Sequence, residues 1–188
     1  MPSAPPGVED VLCLSSTAEE ALLGEEGLAY VARLGALGPV LGEALDWAAE
    51  NDPERGLGLA AALWRYYVES GELSEGRQQL RWLLGLVPTS CVARLSGLTS
   101  SALLASVAGA HAEAALLAQE AMPLARALDE EVREGYLLLV LGRSAEAEGD
   151  ARLAVLHLEA ARERFGETGR AFLLARALLG LSEAPGTR

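Results

Sequence analysis

The 188-residue chain contains no lysine and no isoleucine, and its only asparagine is Asn51. Its 15 basic residues are therefore all arginine, and they face 27 acidic residues, which gives a formal net charge of −12. Valine occurs only 11 times. Because β-branched residues favour strands, their scarcity predicts an almost entirely helical protein.

Positive charge is too sparse for a surface that binds phosphate groups. The first 50 residues hold nine acidic side chains and one basic side chain, Arg33. Nucleic acids and anionic lipids both require clustered cations. We therefore expect neither a nucleic-acid partner nor a membrane partner for this chain.

Residue types that bind metals or carry out nucleophilic chemistry are also few. Cys13 and Cys91 lack the spacing of a metal or redox motif, which predicts reduced thiols. His111 and His157 have no second ligand at the offset of a zinc motif. No nucleophile elbow or triad spacing is present. The sequence therefore predicts a protein without metal, cofactor or enzymatic activity.

Long apolar runs and targeting segments are missing as well. No run approaches the roughly 18 apolar residues that a membrane helix needs, and the proline-rich residues 1–7 do not form a signal peptide. We expect a cytoplasmic protein. Its predicted organisation is a disordered tail over residues 1–15, a single helical repeat domain over 16–182 and a frayed tail over 183–188.

Leucine and alanine together supply 71 of the 188 residues, and the mean hydropathy is +0.20. This high value predicts helices that bury two faces. Glycine, proline and polar clusters divide the chain into nine predicted helices joined by very short turns, so that consecutive helices pack antiparallel. These helices cover approximately residues 17–34, 40–50, 54–70, 73–87, 91–107, 111–128, 131–148, 151–165 and 168–181.

An internal repeat is the main feature of the sequence. Gly71, Gly109 and Gly149 each stand between two predicted helices, with spacings of 38 and 40 residues. Gly35 lies 36 residues before Gly71 and would mark a further, degenerate repeat. Four sets of equivalent positions surround the three glycines, and three of these sets hold only glycine, alanine or leucine. They are Trp64, Ala102 and Gly142 seven before; Gly76, Ala114 and Ala154 five after; Leu80, Ala118 and Leu158 nine after; and Leu83, Ala121 and Ala161 twelve after.

Each feature that recurs between the repeats has a local physical reason. Glycine ends a helix in a left-handed conformation without a Cβ penalty. Small side chains let two antiparallel helices approach closely, and larger ones fill the groove between pairs. Because one helix pair cannot bury its apolar faces alone, we expect the pairs to stack and share a core.

This pattern resembles the tetratricopeptide repeat (TPR) over approximately residues 56–181, and weakly over 17–51. The resemblance implies an all-α fold, a TPR-like antiparallel helix-hairpin solenoid (an α-α superhelix) with about nine helices. Trp64 departs from the family pattern, because the family usually has a small residue in that column.

A narrower resemblance involves the run from Glu43 to Pro53, the run from Leu59 to Tyr67, and Gly71 to Arg77 followed by Trp82. These segments look like the helical-repeat region of bacterial LuxR-type, signal-transducing NTPase transcriptional regulators. The resemblance implies a non-enzymatic module that binds a protein, a peptide or a second copy of itself as the sensor or scaffold part. The chain has no P-loop, since that motif requires lysine.

Repeat register also indicates candidate binding residues. Arg65, Tyr136 and Arg143 occupy positions that would face the concave groove of such an array, where they would bind a carboxylate or an extended peptide. The alternative function is a helical domain that binds a small anionic inducer in a pocket between helix pairs.

The three tryptophans are predicted to be packing residues. Trp64 shares a helical stripe with Ala60, Leu63 and Tyr67, which indicates a core position. Trp47 and Trp82 are expected to pack between neighbouring helices.

Overall fold

The computed structural model describes residues 4, 5, 7–16 and 27–167, and every regular element in these ranges is helical. The prediction of an all-α protein is confirmed. A 3₁₀ helix, Cys13–Ser16, follows the first of the α-helices. The α-helices are α1 (Val8–Leu12), α2 (Gly27–Ala36), α3 (Gly38–Asn51), α4 (Pro53–Ala62), α5 (Trp64–Ser70), α6 (Leu73–Leu86), α7 (Val92–Val107), α8 (His111–Ala127), α9 (Glu131–Ala147) and α10 (Ala151–Glu167).

Six of the predicted helices, from residue 40 to residue 165, have a counterpart that begins and ends within two residues of the expected bounds. The predicted helix over 17–34 is described only from Gly27 onward, and there it extends to Ala36. The predicted helix over 168–181 and the predicted frayed tail over 183–188 lie outside the described residues.

The helix predicted over residues 54–70 divides into α4 and α5 at Leu63. The backbone there has φ −85° and ψ 3°. The Leu63 N–H donates to the Leu59 carbonyl at 3.2 Å, and the Leu63 carbonyl accepts from the Tyr67 N–H at 3.1 Å. Because the helical hydrogen bonds continue through Leu63, the break is a local distortion rather than a turn.

The expectation of a disordered tail over residues 1–15 is wrong for α1. Val8, Val11 and Leu12 are buried, and α1 packs against α3 and α4. On its polar side, Arg55 of α4 forms a two-pronged ion pair with Glu9, with nitrogen–oxygen distances of 2.8 and 3.2 Å. Tertiary contacts, rather than any capping signal in its sequence, therefore order this five-residue helix.

The chain forms two compact units, Met1–Leu104 and Ala105–Arg188, where the sequence predicted a single domain over residues 16–182. In the first unit, close helix contacts occur at glycines. A Cβ on Gly56 of α4 would lie 2.9 Å from the Ala48 Cβ, and one on Gly97 of α7 would lie 2.5 Å from the nearest Leu57 atom. The Ser100 hydroxyl donates to the Ala61 carbonyl at 2.8 Å, which joins α7 to α4.

In the second unit, α9 packs against both α8 and α10. Residues on every side of α9 are buried, from Glu134 through Val140, and this agrees with the predicted helix that buries two faces. A Cβ on Gly142 would lie 2.7 Å from the Leu158 Cγ, and one on Gly135 would lie 2.6 Å from the Phe165 ring. Because both residues are glycines without a side chain, α9 can lie in close contact with α10.

The three glycines that define the repeat are equivalent bends. Gly71, Gly109 and Gly149 have φ values of 81°, 76° and 83°. After Gly109 and Gly149, the next backbone N–H donates 2.9 Å back to a carbonyl five residues earlier, which is the Schellman arrangement. Gly35 lies inside α2 and is not among the positive-φ glycines, so the structure places no bend there.

The predicted columns beside these glycines are buried in all three helix pairs. The positions five, nine and twelve residues after each glycine all face the interior, and their accessibility is 0% wherever a side chain is present. These residues are Gly76, Ala114, Ala154, Leu80, Ala118, Leu158, Leu83, Ala121 and Ala161. The repeat register therefore sets which face of each second helix is buried.

Candidate functional site

The residues predicted for a concave binding face divide between the two units. Arg65 lies on α5 in the first unit, where its guanidinium contacts the Glu69 carboxylate at 3.2 Å. Its side chain is only 19% exposed. This Arg–Glu pair lies one helical turn apart on the same helix, so part of the charge of Arg65 is already neutralised locally.

Tyr136 departs from the expected groove position. It is 1% exposed, and its ring makes an edge-on contact with Phe165 of α10, with centroids 5.6 Å apart. Gly135 and Phe165 are also in close contact, so the ring of Phe165 lies directly over this turn of α9. Tyr136 is therefore a core residue of the second unit rather than an accessible ligand contact.

Arg143 lies seven residues after Tyr136 on α9 and is exposed. A separation of seven residues places both on similar sides of the helix. The structure therefore brings one buried phenol and one exposed guanidinium to that side of α9. It does not present them together to a ligand, because only Arg143 reaches the surface.

A different surface, on α6 of the first unit, exposes large apolar side chains to solvent. Trp82 is 46% exposed and Leu86, one turn later, is 42% exposed. The prediction that Trp82 packs between helices is thus wrong. Large apolar side chains that remain open beside each other are typical of surfaces that bind a partner.

Two polar residues, Glu75 and Gln79, continue this surface toward the start of α6. Positions 75, 79, 82 and 86 follow the spacing i, i+4, i+7 and i+11, which puts them on one side of a helix. We call these four residues the α6 flank. It runs beside the core stripe of the same helix, which consists of Gly76, Leu80 and Leu83.

The far end of the α6 flank is held in place by Arg94 of α7. Its guanidinium donates to the carbonyls of Leu84 and Val87, at 3.2 and 2.8 Å. These carbonyls lie at the end of α6, where a cation is also favoured by the helix dipole. Arg94 thereby fixes the short connection to α7, whose first residue, Val92, is 49% exposed.

The near end of the α6 flank borders a pocket of about 240 Å³ in the first unit. Its apolar wall consists of Leu41 and Leu45 from α3 together with Leu63. Two glycines of α3, Gly38 and Gly42, complete this wall. The apolar side of the pocket is therefore formed mostly by one helix.

The opposite side of the pocket is polar, and its members are Tyr66, Tyr67, Glu72, Glu75 and Gln79. The Tyr67 hydroxyl donates to the Gln79 Oε1, and the Gln79 amide donates to Glu75 at 3.4 Å. No cationic side chain is among the described residues that line the pocket.

Both phenols are already engaged within the pocket, Tyr67 through its hydrogen bond to Gln79 and Tyr66 through its hydrogen bond with Glu72. Burial raises the pKa of Tyr66, and its charge contact and hydrogen bond with Glu72 raise it further. Burial also raises the pKa of Tyr67 strongly, with a smaller contribution from the charge of Glu75. Because Glu72 and Glu75 line it, the pocket is acidic, which favours a cation and disfavours an anion.

The second unit exposes leucines at equivalent repeat positions. Leu116 of α8 and Leu156 of α10 each lie seven residues after a repeat glycine, and they are 68% and 62% exposed. Leu153 and Leu156 line an open hollow of about 420 Å³ along α10. No aromatic side chain accompanies them among the described residues that line this hollow.

The described part of the chain contains neither a cluster of metal-binding side chains nor a helix suited to cross a membrane. It holds no group of three or more His, Cys, Asp and Glu side chains arranged around a metal position. Neither Cys13 nor Cys91 takes part in a disulfide bond. Among these same residues, no helix has the length and apolar composition needed to cross a bilayer.

Sequence reasoning missed the α6 flank and the pocket beside it. The spacing of positions 75, 79, 82 and 86 was available, but a tryptophan on a helical stripe is read by default as core. Only the packing of α6 against its neighbours distinguishes this flank from the buried stripe about 100° away.

No protein-family model matches this sequence, and no curated protein matches it significantly. The chain is similar to the crystal structure of BtubC (BKLC) from P. vanneervenii, with a TM-score of 0.58 and 15% sequence identity. The similarity covers 96% of this chain and 90% of that chain. At this low identity, the likeness shows a shared all-helical fold and nothing further about the chain.

Proposed function

We propose that this chain is a non-enzymatic, cytoplasmic protein-interaction module of TPR type, the partner-binding or sensor part of a bacterial transcriptional regulator. Three observations support the TPR-type assignment: the equivalent glycine bends, the repeated buried columns and the close helix contacts at small residues. The regulatory context rests on the sequence resemblance of residues 43–84.

The exposure of Trp82 beside Leu86 is the observation that carries the binding role. Tryptophan is enriched among the few interface residues that dominate binding energy, and it is costly to leave in water. Arg94 holds the end of α6 in place, so the α6 flank is preorganised. A preorganised surface loses less entropy on binding.

The net charge of −12 indicates the kind of partner. Two such chains repel each other, whereas a basic partner is attracted and its encounter rate is increased. We therefore propose a partner protein that presents a basic segment with an apolar side chain. The acidic pocket gives no support to the alternative of an anionic inducer.

A site-specific crosslinking experiment tests this proposal. A photo-reactive phenylalanine analogue is placed at Leu86, and at Gln78 on the outer face of the same helix as the control. The partner crosslinked from position 86 is then purified, and its affinity is measured by calorimetry for wild type, Trp82→Ala and Gln78→Ala.

We expect Trp82→Ala to weaken binding at least 10-fold, as for an interface hot spot, and Gln78→Ala to change it less than 3-fold. Equal crosslinking at both positions, or an unchanged affinity in Trp82→Ala, would refute the proposed surface. Should position 86 crosslink to a second copy of the chain, sedimentation would show a dimer that Trp82→Ala dissociates.

A further inference from the structure

Two glycines in the wall of the pocket have no packing reason to be glycine. Gly38 and Gly42 lie one turn apart on α3, and a Cβ built on either would meet no atom within 4 Å. Gly56 and Gly76, by contrast, are required by neighbours within 3 Å. Glycine inside a helix lowers helix stability relative to alanine. At Gly42, which lies inside α3, the missing side chain leaves this part of the pocket unfilled.

The lining of the pocket indicates which ligand would fit. Leu41, Leu45 and Leu63 suit an aliphatic stem. Glu72 and Glu75 are exposed at the rim, where they would meet a positive charge at the end of that stem. A guanidinium or ammonium on a chain of three or four methylenes matches both features.

We propose that this pocket receives the arginine or lysine side chain of a partner segment whose neighbouring apolar side chain packs on Trp82 and Leu86. The identification of the ligand as part of a protein rests on the proposed function. The shared chemistry, a cation on an aliphatic stem, could also come from a free amine such as agmatine.

The α6 flank sets the spacing within the partner segment. Glu75 and Trp82 are seven residues apart, which is about 10 Å at 1.5 Å per helical residue. An extended chain covers about 3.3 Å per residue. The basic residue and the apolar residue of an extended partner should therefore be about three positions apart.

The test uses three probes against the full chain, measured by calorimetry at low salt. The first is a capped eight-residue peptide of glycine and serine that carries arginine and leucine three positions apart. The second replaces arginine by neutral citrulline, which has nearly the same shape. The third is agmatine.

We expect the arginine peptide to bind at least 10-fold more tightly than the citrulline peptide and than agmatine. Glu75→Gln should weaken the arginine peptide at least 5-fold. Gly42→Leu, which fills the pocket, should weaken it at least 10-fold, whereas Gly85→Leu on the open outer face of α6 should leave it unchanged. Circular dichroism confirms that each variant is folded.

Equal binding of the arginine and citrulline peptides, no binding of either, or an unaffected Gly42→Leu variant would overturn the inference. Agmatine binding as tightly as the peptide would overturn the protein source. The proposed function fails separately, since its readout is the loss of partner affinity in Trp82→Ala. A partner that needs Trp82 but tolerates Gly42→Leu would refute the pocket alone.

Discussion

Within each unit, two consecutive helices make their close contact at a glycine. In one unit this glycine lies on the second helix of the pair, and in the other unit it lies on the first. In the first unit it is Gly76 on the second helix of the pair, and a Cβ there would lie 2.5 Å from the Tyr67 ring of the first helix. In the second unit it is Gly142 on the first helix, and the neighbour is Leu158 of the second. In both pairs, a missing side chain on one helix makes room for a large side chain on the other, and either helix of the pair can supply the glycine.

A second comparison concerns equivalent positions 15 residues before a repeat glycine. Arg94 occupies this position before Gly109, and Glu134 occupies it before Gly149. Arg94 donates to the last carbonyls of α6. Glu134 accepts a hydrogen bond from Arg126 at the end of α8 and forms an ion pair with Arg164 of α10. At both positions, the side chain joins its own helix to the end of the preceding helix. It does so with a positive charge at Arg94 and with a negative charge at Glu134.

The largest effect should come from Gly76→Ala. The new Cβ would overlap the ring and Cβ of Tyr67, whose hydroxyl is fixed by Gln79. We expect a net loss of about 2–3 kcal/mol in the free energy of unfolding, because overpacking exceeds the gain in helix propensity. Urea unfolding monitored by circular dichroism measures it.

The matched control for Gly76→Ala is Gly85→Ala on the same helix. Its Cβ meets open space, so we expect a gain of about 0.5–1 kcal/mol. A stabilised Gly76→Ala variant would show that the contact in the first unit is not limited by the missing side chain.

Gly142→Ala tests the same contact in the second unit. The Cβ would meet the branch of Leu158, which can rotate, and the Ala154 carbonyl only at 3.4 Å. We expect a smaller loss of about 1–2 kcal/mol in the free energy of unfolding. A larger loss in the free energy of unfolding for Gly142→Ala than for Gly76→Ala, measured in the same urea titration, would contradict this expected difference between the units.

The left-handed bends give the next effect. Gly149→Ala keeps φ near 83° and should cost about 1–2 kcal/mol. Asp129 has φ 58° without being glycine, and it leads from α8 into α9. Asp129→Gly should therefore stabilise the chain by up to about 1 kcal/mol. In thermal and urea unfolding, the midpoint should fall for Gly149→Ala and rise for Asp129→Gly.

Glu134→Gln tests the charged tie in the second unit. The Glu134 side chain is 11% exposed, whereas its partner Arg126 is 64% exposed and therefore well screened. We expect a loss of about 1 kcal/mol in the free energy of unfolding, and a smaller loss in high salt. A loss that does not depend on salt would mean that packing rather than charge connects these helices.

The smallest effect concerns pH and α1. The hydrogen bond from Arg55 lowers the pKa of the Glu9 carboxyl in the folded chain. This contribution is therefore complete above the unfolded pKa of about 4.5 and is lost as pH falls through the lower folded value. Glu9→Gln should be less stable than wild type at pH 7 and equal to it in strong acid. A difference that persists in acid would contradict this assignment.

Local chemistry explains why much of the fold could be predicted from the sequence. A glycine that ends a helix and a small residue at a helix contact act through neighbours close in the chain, so Gly109 and Ala114 already define a bend and a buried face. The break at Leu63 has no such signal, because residues 60–67 contain neither glycine nor proline. Helix α1 depends on packing against α3 and α4 and on Arg55, which is 46 residues away from Glu9.

The candidate site was less predictable, because it depends on which side of each helix is covered. Repeat register placed Tyr136 at a groove, but Phe165 covers its ring. Trp82 was expected to pack between neighbouring helices, although it lies on the α6 flank beside the buried stripe. Which stripe of a helix is covered is set by packing across helices rather than by spacing along one helix.

Fluorine NMR of the protein labelled with 5-fluorotryptophan tests the partner-binding surface most directly. The chain has three tryptophans, and Trp82→Phe assigns the resonance of Trp82. In the free protein, that resonance should show the solvent isotope shift of an exposed ring, whereas the resonance of buried Trp64 should not. Saturation with the partner crosslinked at position 86 should remove the shift at Trp82. A Trp82 signal that is insensitive to solvent in the free chain, or unchanged by the partner, would contradict the account.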